Sequence, residues 1–181
     1  MRTNIVRHPR FPIAILVGLV AVSLFAQITL IEQGRVSRGD NDDAIDVLEK
    51  AVAQSPRSAE AHYYLGSAYG IKVQASGIVA AVKYASRISK EFEKAVALDP
   101  RYVEARFGLV QVYAGAPGLL GGSYEKAFEQ AKAIKAIDPI VGHRAYAFIY
   151  SQQKKLDLAE KEYADAIREE PNALTKKNSS R

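Results

Sequence analysis

Four of the chain's twelve glycines fall between Gly115 and Gly122, directly before a stretch of helical character. Glycine-rich loops ahead of a helix bind phosphate, because backbone N–H groups and the helix N-terminus together attract an anion. A P-loop requires a lysine and a hydroxyl directly after its last glycine, whereas here Gly122 is followed by Ser123 and Tyr124. A dinucleotide fingerprint requires a preceding strand, which this sequence does not predict. We therefore predict a wide turn between two helices, with Ser123 as the N-cap of the second helix.

Few other residues could take part in catalysis or bind a metal ion. His62 and His143 lack histidine or cysteine at metal-ligand spacing, so we expect half-buried helix residues whose polar ring atoms are satisfied. The acidic run Gly39–Ala44 lacks the glycine and the distal glutamate of a calcium loop, and predicts a turn in which Asp42 or Asp43 caps the next helix. No serine lies in a nucleophile elbow. The sequence predicts no catalytic, metal-binding or cofactor-binding residues, no cofactor, and a protein that is not an enzyme.

The composition narrows the class of partner. The chain has 181 residues, 48% apolar and 25% charged, with no cysteine, which excludes disulfides and thiolate metal sites. Three of the 25 basic residues precede the first acidic residue and three follow the last. The central part of the chain therefore contains 19 basic and 20 acidic residues. A neutral body has no basic face for DNA or RNA, and no nucleic-acid partner is predicted.

The N-terminus resembles an export signal. A basic start containing Arg2 is followed by an uncharged apolar run from Phe11 to Ala26, and the apolar character continues to Ile31. Two readings stay open: a signal peptide over residues 1–26 that is cleaved after Ala26, or an uncleaved membrane anchor of sufficient length to span a bilayer. Both place the chain after Gln33 across the membrane, most simply in a bacterial periplasm.

Four segments along the chain end alike, with small and bulky residues at helical spacing and then a proline, which cannot continue a helix. The stretches that follow Pro56 and Pro100 also predict helices. This indicates four repeats followed by a polar basic tail, at about residues 27–56, 57–100, 101–139, 140–171 and 172–181.

The segment "YLGSAY", with Leu65, Gly66 and Tyr69, resembles the tetratricopeptide repeat, a helix pair of about 34 residues. The resemblance implies an all-α fold, a TPR-like α-α superhelix in which antiparallel helix pairs build a right-handed solenoid. It also implies that small residues on the second helices allow close packing while larger ones fill the remaining space. The small residues are Ala44, Ala51, Ala95, Ala127, Ala159 and Ala166, and the larger ones are Leu48, Phe92 and Tyr163.

The repeats depart from a constant period, because their prolines are 44, 39 and 32 residues apart. The second repeat is longer than the usual repeat, and its additional residues predict a lengthened second helix that packs on the side of the solenoid. Ile78, Val82, Ala85 and Phe92 have helical spacing in this segment. The additional residues of the third repeat form the glycine-rich turn, whose Leu119 and Leu120 we expect to pack back on the helices. The position of Gly66 is taken by Val110 and Ala147 in the next repeats, which predicts pairs that are splayed or shifted in register.

Proteins of this class use the concave face of their first helices to hold peptides or partner domains. Aromatic residues flanked by polar ones suit such a groove, although the aromatics could equally be core between repeats. The residues projected onto this face are Glu60, Tyr63, Ser67, Glu104, Phe107, Gln111, Arg144, Phe148 and Gln152.

The predicted function is therefore a non-catalytic scaffold of the cell envelope that binds a protein or peptide. It touches the membrane only through an uncleaved N-terminal segment. The first alternative is a small-ligand-binding or transport-accessory module, and the second is a hydrolase whose site is not visible in sequence. A closed pocket lined by Tyr63, Phe107 and Phe148 would favour a small solute, and an open groove would favour a peptide.

Overall fold

The computed structural model describes the backbone of residues 41–179 and the side chains of residues 42–169. This part contains seven α-helices and one 3-10 turn, and no strand. The helices are α1 (Asn41–Gln54), α2 (Ala59–Ser76), α3 (Ile78–Leu98), α4 (Val103–Gly115), α5 (Tyr124–Ile137), α6 (Pro139–Gln152) and α7 (Leu156–Ser179), with the 3-10 turn at Gly118–Leu120. The predicted signal or anchor and the first helix of the first repeat lie outside the described residues.

Each helix packs against the next one along the chain, so that α2 with α3, α4 with α5, and α6 with α7 form three pairs. The helix α1 takes the position of a second helix, because it packs against α2 as α3 packs against α4. The first helices also pack on one another, α4 on α6 and, less extensively, α2 on α4. This is the predicted all-α superhelix of antiparallel helix pairs. Among the described helices, none is long and apolar enough to cross a membrane.

Short polar side chains cap two of the three described first helices, α2 and α6. The Ser58 hydroxyl accepts a hydrogen bond from the N–H of Ala61 at 3.1 Å, at the start of α2. The Asp138 carboxylate accepts one from the N–H of Val141 at 3.0 Å, and Pro139 occupies the first turn of α6. These caps satisfy N–H groups that have no partner within the helix.

The last helix differs from the prediction at Pro171, because α7 continues through this proline to Ser179. The segment from 172, predicted to be a polar tail, is therefore largely helical. The prolines that do mark helix ends at 100 and 139 follow aspartates, and the Asp99 carboxylate accepts the N–H of Arg101 at 2.8 Å. Pro171 follows a glutamate, which favours a helix interior over a cap. Proline alone removes a hydrogen bond but supplies no cap.

The small residues predicted on the second helices are all buried, as are Leu48 and Phe92. Tyr163 was expected to be buried as well, but it is 48% exposed. The helix α7 packs only against α6 in the described part of the chain, so no following helix covers Tyr163.

Glycines make the close approaches between helices, at Gly66 against Phe92 and at two further positions. Val110 and Ala147 are fully buried, while Gly108 and Gly142 lie directly against the preceding helix. A Cβ at position 142 would be 2.3 Å from the Cα of Lys135. That these two pairs are splayed or shifted in register stays a prediction.

The lengthened second helix of the second repeat is confirmed as α3, and α2 is lengthened with it. The two helices meet at Gly77, whose φ of 71° lies in the left-handed region that favours glycine. Ile78 and Val82 do not pack on the solenoid as expected, because both are exposed. They belong to the first turns of α3, where Ala80, Ala81 and Tyr84 face the other helices instead.

The glycine-rich stretch is a turn between α4 and α5, as predicted. Gly121 has a φ of 93°, and the Ser123 hydroxyl accepts the N–H of Lys126 at 3.3 Å to cap α5. Leu120 is half-buried, but Leu119 is exposed and the expectation that it packs back is wrong. Successive side chains of a 3-10 turn point in different directions, so only one of the pair faces the helices.

The acidic segment before α1 also differs from the prediction in part. The helix already includes Asn41, so Asp42 and Asp43 lie in its first turn rather than at its cap. Acidic side chains remain favourable there because of the helix dipole. The Asp42 carboxylate also contacts the Lys72 ammonium at 2.8 Å, which ties the start of α1 to the last turns of α2.

Candidate functional site

The first helices α2, α4 and α6 form a groove of about 290 Å³, called here the concave groove. Six of the nine residues projected onto this face line it: Tyr63, Ser67, Glu104, Phe107, Gln111 and Arg144. The other lining residues are Phe92, Val103, Gly108 and Val141. Phe148 lines a neighbouring hollow, while Glu60 and Gln152 are exposed and line neither space.

Two aromatic rings from different repeats meet at this groove. The ring centroids of Phe107 on α4 and Phe148 on α6 are 6.4 Å apart, at an interplanar angle of 52°. The guanidinium of Arg144 lies 6.0 Å from the Phe107 centroid, within the range of a cation–π contact. Both rings are half-buried and the arginine is exposed. The groove thus combines apolar area with one accessible positive charge.

Tyr63 belongs to the core as well as to the groove. Its ring centroid lies 5.1 Å from those of Tyr64 and Tyr102 and 5.9 Å from that of Phe92. Rings at these separations stabilise the packing between helices. Of the three projected aromatics, Tyr63 is therefore the one for which the core interpretation has most support.

The polar residues of the groove differ in availability. The Ser67 hydroxyl donates to the backbone carbonyl of Tyr63 at 2.9 Å, one turn earlier in the same helix. Glu104, Gln111 and Arg144 are exposed to solvent. The rim is thus open and carries both signs of charge.

A second, more apolar space adjoins the concave groove and has a volume of about 590 Å³. We call it the apolar hollow. It meets the groove at Ser67, Phe92, Gly108 and Gln111. Its floor is α3, and its walls are the last turns of α2 and α4 and the glycine-rich turn. These parts contribute Gly70, Ile71, Val73, Gln74, Ile78, Ala81, Ala85, Ile88, Val112, Gly115, Ala116, Pro117 and Leu120, and α6 adds Phe148.

The sequence did not predict this hollow. The signal that was available is the run of small residues Ala81 and Ala85 on the inner face of α3, between Ile78 and Ile88. Small side chains there leave space where larger ones would have filled it.

Three polar contacts occupy corresponding positions in the three described helix pairs. The Nδ1 atom of His62 lies 2.6 Å from the Glu91 carboxylate, and that of His143 lies 2.7 Å from the Glu162 carboxylate. In the middle pair, the contact between Arg106 and Gln130 corresponds to these two histidine contacts. Each joins the first helix of a pair to its second helix. Both histidines are buried, more fully than the half-burial predicted, and the contacts of their Nδ1 atoms with carboxylates give them a structural role.

The Arg106 guanidinium donates to the Gln130 side chain at 2.7 Å and to the carbonyl of Pro100 at 2.9 Å. The contact to Pro100 has a parallel in the second repeat, where Nε2 of His62 lies 3.2 Å from the carbonyl of Pro56. These two residues therefore anchor the starts of α2 and α4.

Tyrosine hydroxyls connect neighbouring repeats. Tyr69 donates to Glu49 and Tyr113 donates to Glu93, each at 2.6 Å, from a first helix to the second helix of the preceding pair. Burial, supported by the hydrogen bond to Glu49, raises the pKa of Tyr69 from 10.0 to about 12. Burial and the bond to Glu93 likewise raise the pKa of Tyr113. These groups are therefore neutral structural links.

The described residues contain no group of three or more histidine, aspartate or glutamate side chains arranged to hold a metal ion. The residues that converge in the groove are aromatic, amide and singly charged groups. Such a set is suited to binding rather than to proton transfer or nucleophilic attack.

Comparisons with known proteins agree with this geometry. A family model for the TPR repeat matches residues 35–70. The crystal structure of MamA superimposes with a TM-score of 0.60 and 26% identity, covering 82% of this chain and 81% of that one. TTC0263, a thermophilic TPR protein in Thermus thermophilus, gives a TM-score of 0.66 and 25% identity, covering 81% and 75%. No curated protein matches the sequence.

These similarities support the resemblance to the tetratricopeptide repeat and its superhelical fold. A fold of this class also supports a role as a scaffold for protein interactions.

Proposed function

We propose that this chain is a non-catalytic scaffold of the bacterial cell envelope that holds a peptide or a partner domain in the concave groove. The observation that carries the proposal is the convergence of Phe107, Phe148 and Arg144 from two repeats on an open surface. Half-buried rings offer apolar area at little cost in side-chain entropy, and the exposed arginine orients an acidic or aromatic group of the partner.

The open rim favours a peptide over a small solute. Glu104, Gln111 and Arg144 are exposed along one side of the groove, so an extended chain could enter and leave at both ends. Charges of both signs on the rim would select the register of the bound segment.

The location in the envelope rests on the N-terminal sequence. Its basic start and its uncharged run from Phe11 to Ala26 are typical of an export signal. Whether the segment is removed or retained as an anchor, the helical body would lie on the far side of the membrane.

The apolar hollow favours a second candidate function, the binding of a small apolar ligand. Its volume of about 590 Å³ lies within the range of small-molecule sites, and its lining is mostly apolar. A ligand there would touch Phe148 and Gln111, so it would influence the peptide groove.

The proposal is tested by substitutions in the groove of the full chain, expressed in its native envelope and chemically crosslinked before purification. We expect the double substitution Phe107→Ser and Phe148→Ser to remove the crosslinked partner, and Arg144→Glu to change its yield. The matched control is Ile167→Ser, which alters an exposed apolar residue on α7 outside the groove.

Circular dichroism and melting temperature establish that each variant is folded. Retention of the partner at the wild-type level by a folded double variant would contradict the proposal. Displacement of a bound apolar molecule without loss of any protein partner would support the second candidate.

A further inference from the structure

One edge of the solenoid exposes large apolar side chains. At the turn between α2 and α3, Ile78 is 70% exposed, Val79 is 79% and Val82 is 67% exposed. Leu119 on the neighbouring 3-10 turn is 96% exposed, and this turn packs against α3. We call these four residues the apolar tip. Apolar residues clustered at this exposure indicate a surface that meets something other than water.

The stretch of chain that carries the apolar tip has only positive charges, because between Ala61 and Lys90 the sequence has no aspartate or glutamate but has Lys72, Lys83, Arg87 and Lys90. Helix α1 supplies carboxylates to two of them, since Asp42 pairs with Lys72 and Glu49 with Arg87. The positive charge that remains directly beside the tip is that of Lys83. Lys83 follows Val82 directly, and its ammonium lies 4.9 Å from the centroid of the Tyr84 ring. A surface with exposed aliphatic residues and flanking lysines complements an anionic bilayer, where the lysines meet phosphate groups.

The chain also enters the described helices at this same edge. The ion pair between Asp42 and Lys72 places the start of α1 beside the last turns of α2, next to the turn at Gly77. Nine residues separate Ile31, where the apolar N-terminal run ends, from Asn41. An extended chain of that length spans at most about 30 Å. An N-terminal segment held in a bilayer would therefore keep the apolar tip within reach of that bilayer.

We propose that the apolar tip docks on the surface of an anionic bilayer. Ile78, Val79 and Leu119 enter the boundary between headgroups and acyl chains, while the Lys83 stem lies along this boundary and its ammonium reaches the phosphates. The surface is distinct from the concave groove, and its docking does not require a partner there. The occupant is the lipid surface itself, rather than a second copy of the chain or a partner helix.

The absence of cysteine in the chain permits a direct test. A single Val79→Cys substitution in the full chain is labelled with a polarity-sensitive fluorophore, and the protein is reconstituted into vesicles of phosphatidylcholine with or without phosphatidylglycerol. Arg57→Cys is the matched control, since it is exposed in the turn between α1 and α2, at the opposite edge. Leu119→Cys provides a second reporter that leaves α3 unchanged.

We expect the probes at positions 79 and 119 to shift to the blue and to be quenched several-fold more strongly by a lipid-borne quencher than the probe at 57. Adding Lys83→Glu should reduce the quenching at position 79 in phosphatidylglycerol vesicles. Equal quenching at positions 79, 119 and 57 would overturn the proposal. A blue shift that follows the protein-to-lipid ratio, without lipid quenching, would also overturn it and would assign the tip to a second copy.

Discussion

The Phe92 ring of α3 lies so close to Gly108 of α4 that a Cβ at position 108 would be 2.7 Å from it. On the other side the same ring faces Gly66 of α2, where a Cβ would be 3.0 Å away. One side chain therefore sets the distance between two neighbouring first helices. Because Phe92 also lines both the concave groove and the apolar hollow, this distance determines the width of the candidate site.

Gly108→Ala is expected to destabilise the fold. The added methyl would overlap a buried ring that is held from both sides, at a cost of about 1–3 kcal/mol in the free energy of unfolding. The matched control is Gly70→Ala, where a Cβ meets nothing within 4 Å inside α2. That change should stabilise the helix by up to about 1 kcal/mol. Urea unfolding measures both, and equal effects would contradict the role given to Phe92.

Leu109→Ala should cost about 2–5 kcal/mol, because Leu109 is fully buried and its truncation leaves a cavity. Leu119→Ala makes the same chemical change at an exposed position and should stay within about 0.5 kcal/mol. Thermal or urea unfolding of the two variants checks this difference. A small loss at Leu109 would mean that the α4 core is not packed as described.

Alkaline pH is expected to weaken the fold through Tyr69. Its pKa is about 12 in the folded chain and 10.0 when unperturbed, so below pH 10 both states keep the proton and the stabilisation is complete. Between pH 10 and about 12 the unfolded chain loses the proton first, and the free energy of unfolding falls. Urea unfolding across this range should show a shallower decline in Tyr69→Phe. An unchanged decline would contradict this assignment.

Mass spectrometry of the mature protein should find it either cut after Ala26 or intact and membrane-bound. A cut there leaves residues 27–38 as about three helical turns, enough for the first helix of the first repeat. Cell fractionation should place the body outside the cytoplasm in both cases. A cytoplasmic protein that retains Arg2 would contradict the export prediction.

Local chemistry accounts for the features that the sequence predicted well. The break before Pro139 depends on its own aspartate cap, and helical spacing places Phe107 and Gln111 on one face of α4, to which the repeat resemblance adds Arg144 of α6. The exposure of Tyr163 and of Val82 depends instead on how far neighbouring helices extend. The spacing of apolar residues within α7 and α3 contains no information about the length of those neighbouring helices. The continuation of α7 through Pro171 could be predicted only from the residue before this proline, a glutamate that does not cap a helix, and not from the proline alone.

The apolar hollow was beyond a sequence-based prediction for a related reason. It is lined on the α3 side by the small residues Ala81 and Ala85, between Ile78 and Ile88. The depth of the space between α2, α3 and α4 does not follow from the pattern of any one helix.

The central claim is that a protein partner occupies the concave groove, and site-specific photo-crosslinking tests it most directly. A photoreactive residue at Gln111, exposed in the groove, is compared in native cells with one at Lys132, exposed on the second helix α5. We predict a discrete protein adduct from position 111, none from position 132, and loss of the adduct when Phe107→Ser and Phe148→Ser are added. Adducts of equal yield from both positions, or an adduct at 111 that survives the double substitution in a folded protein, would contradict the claim.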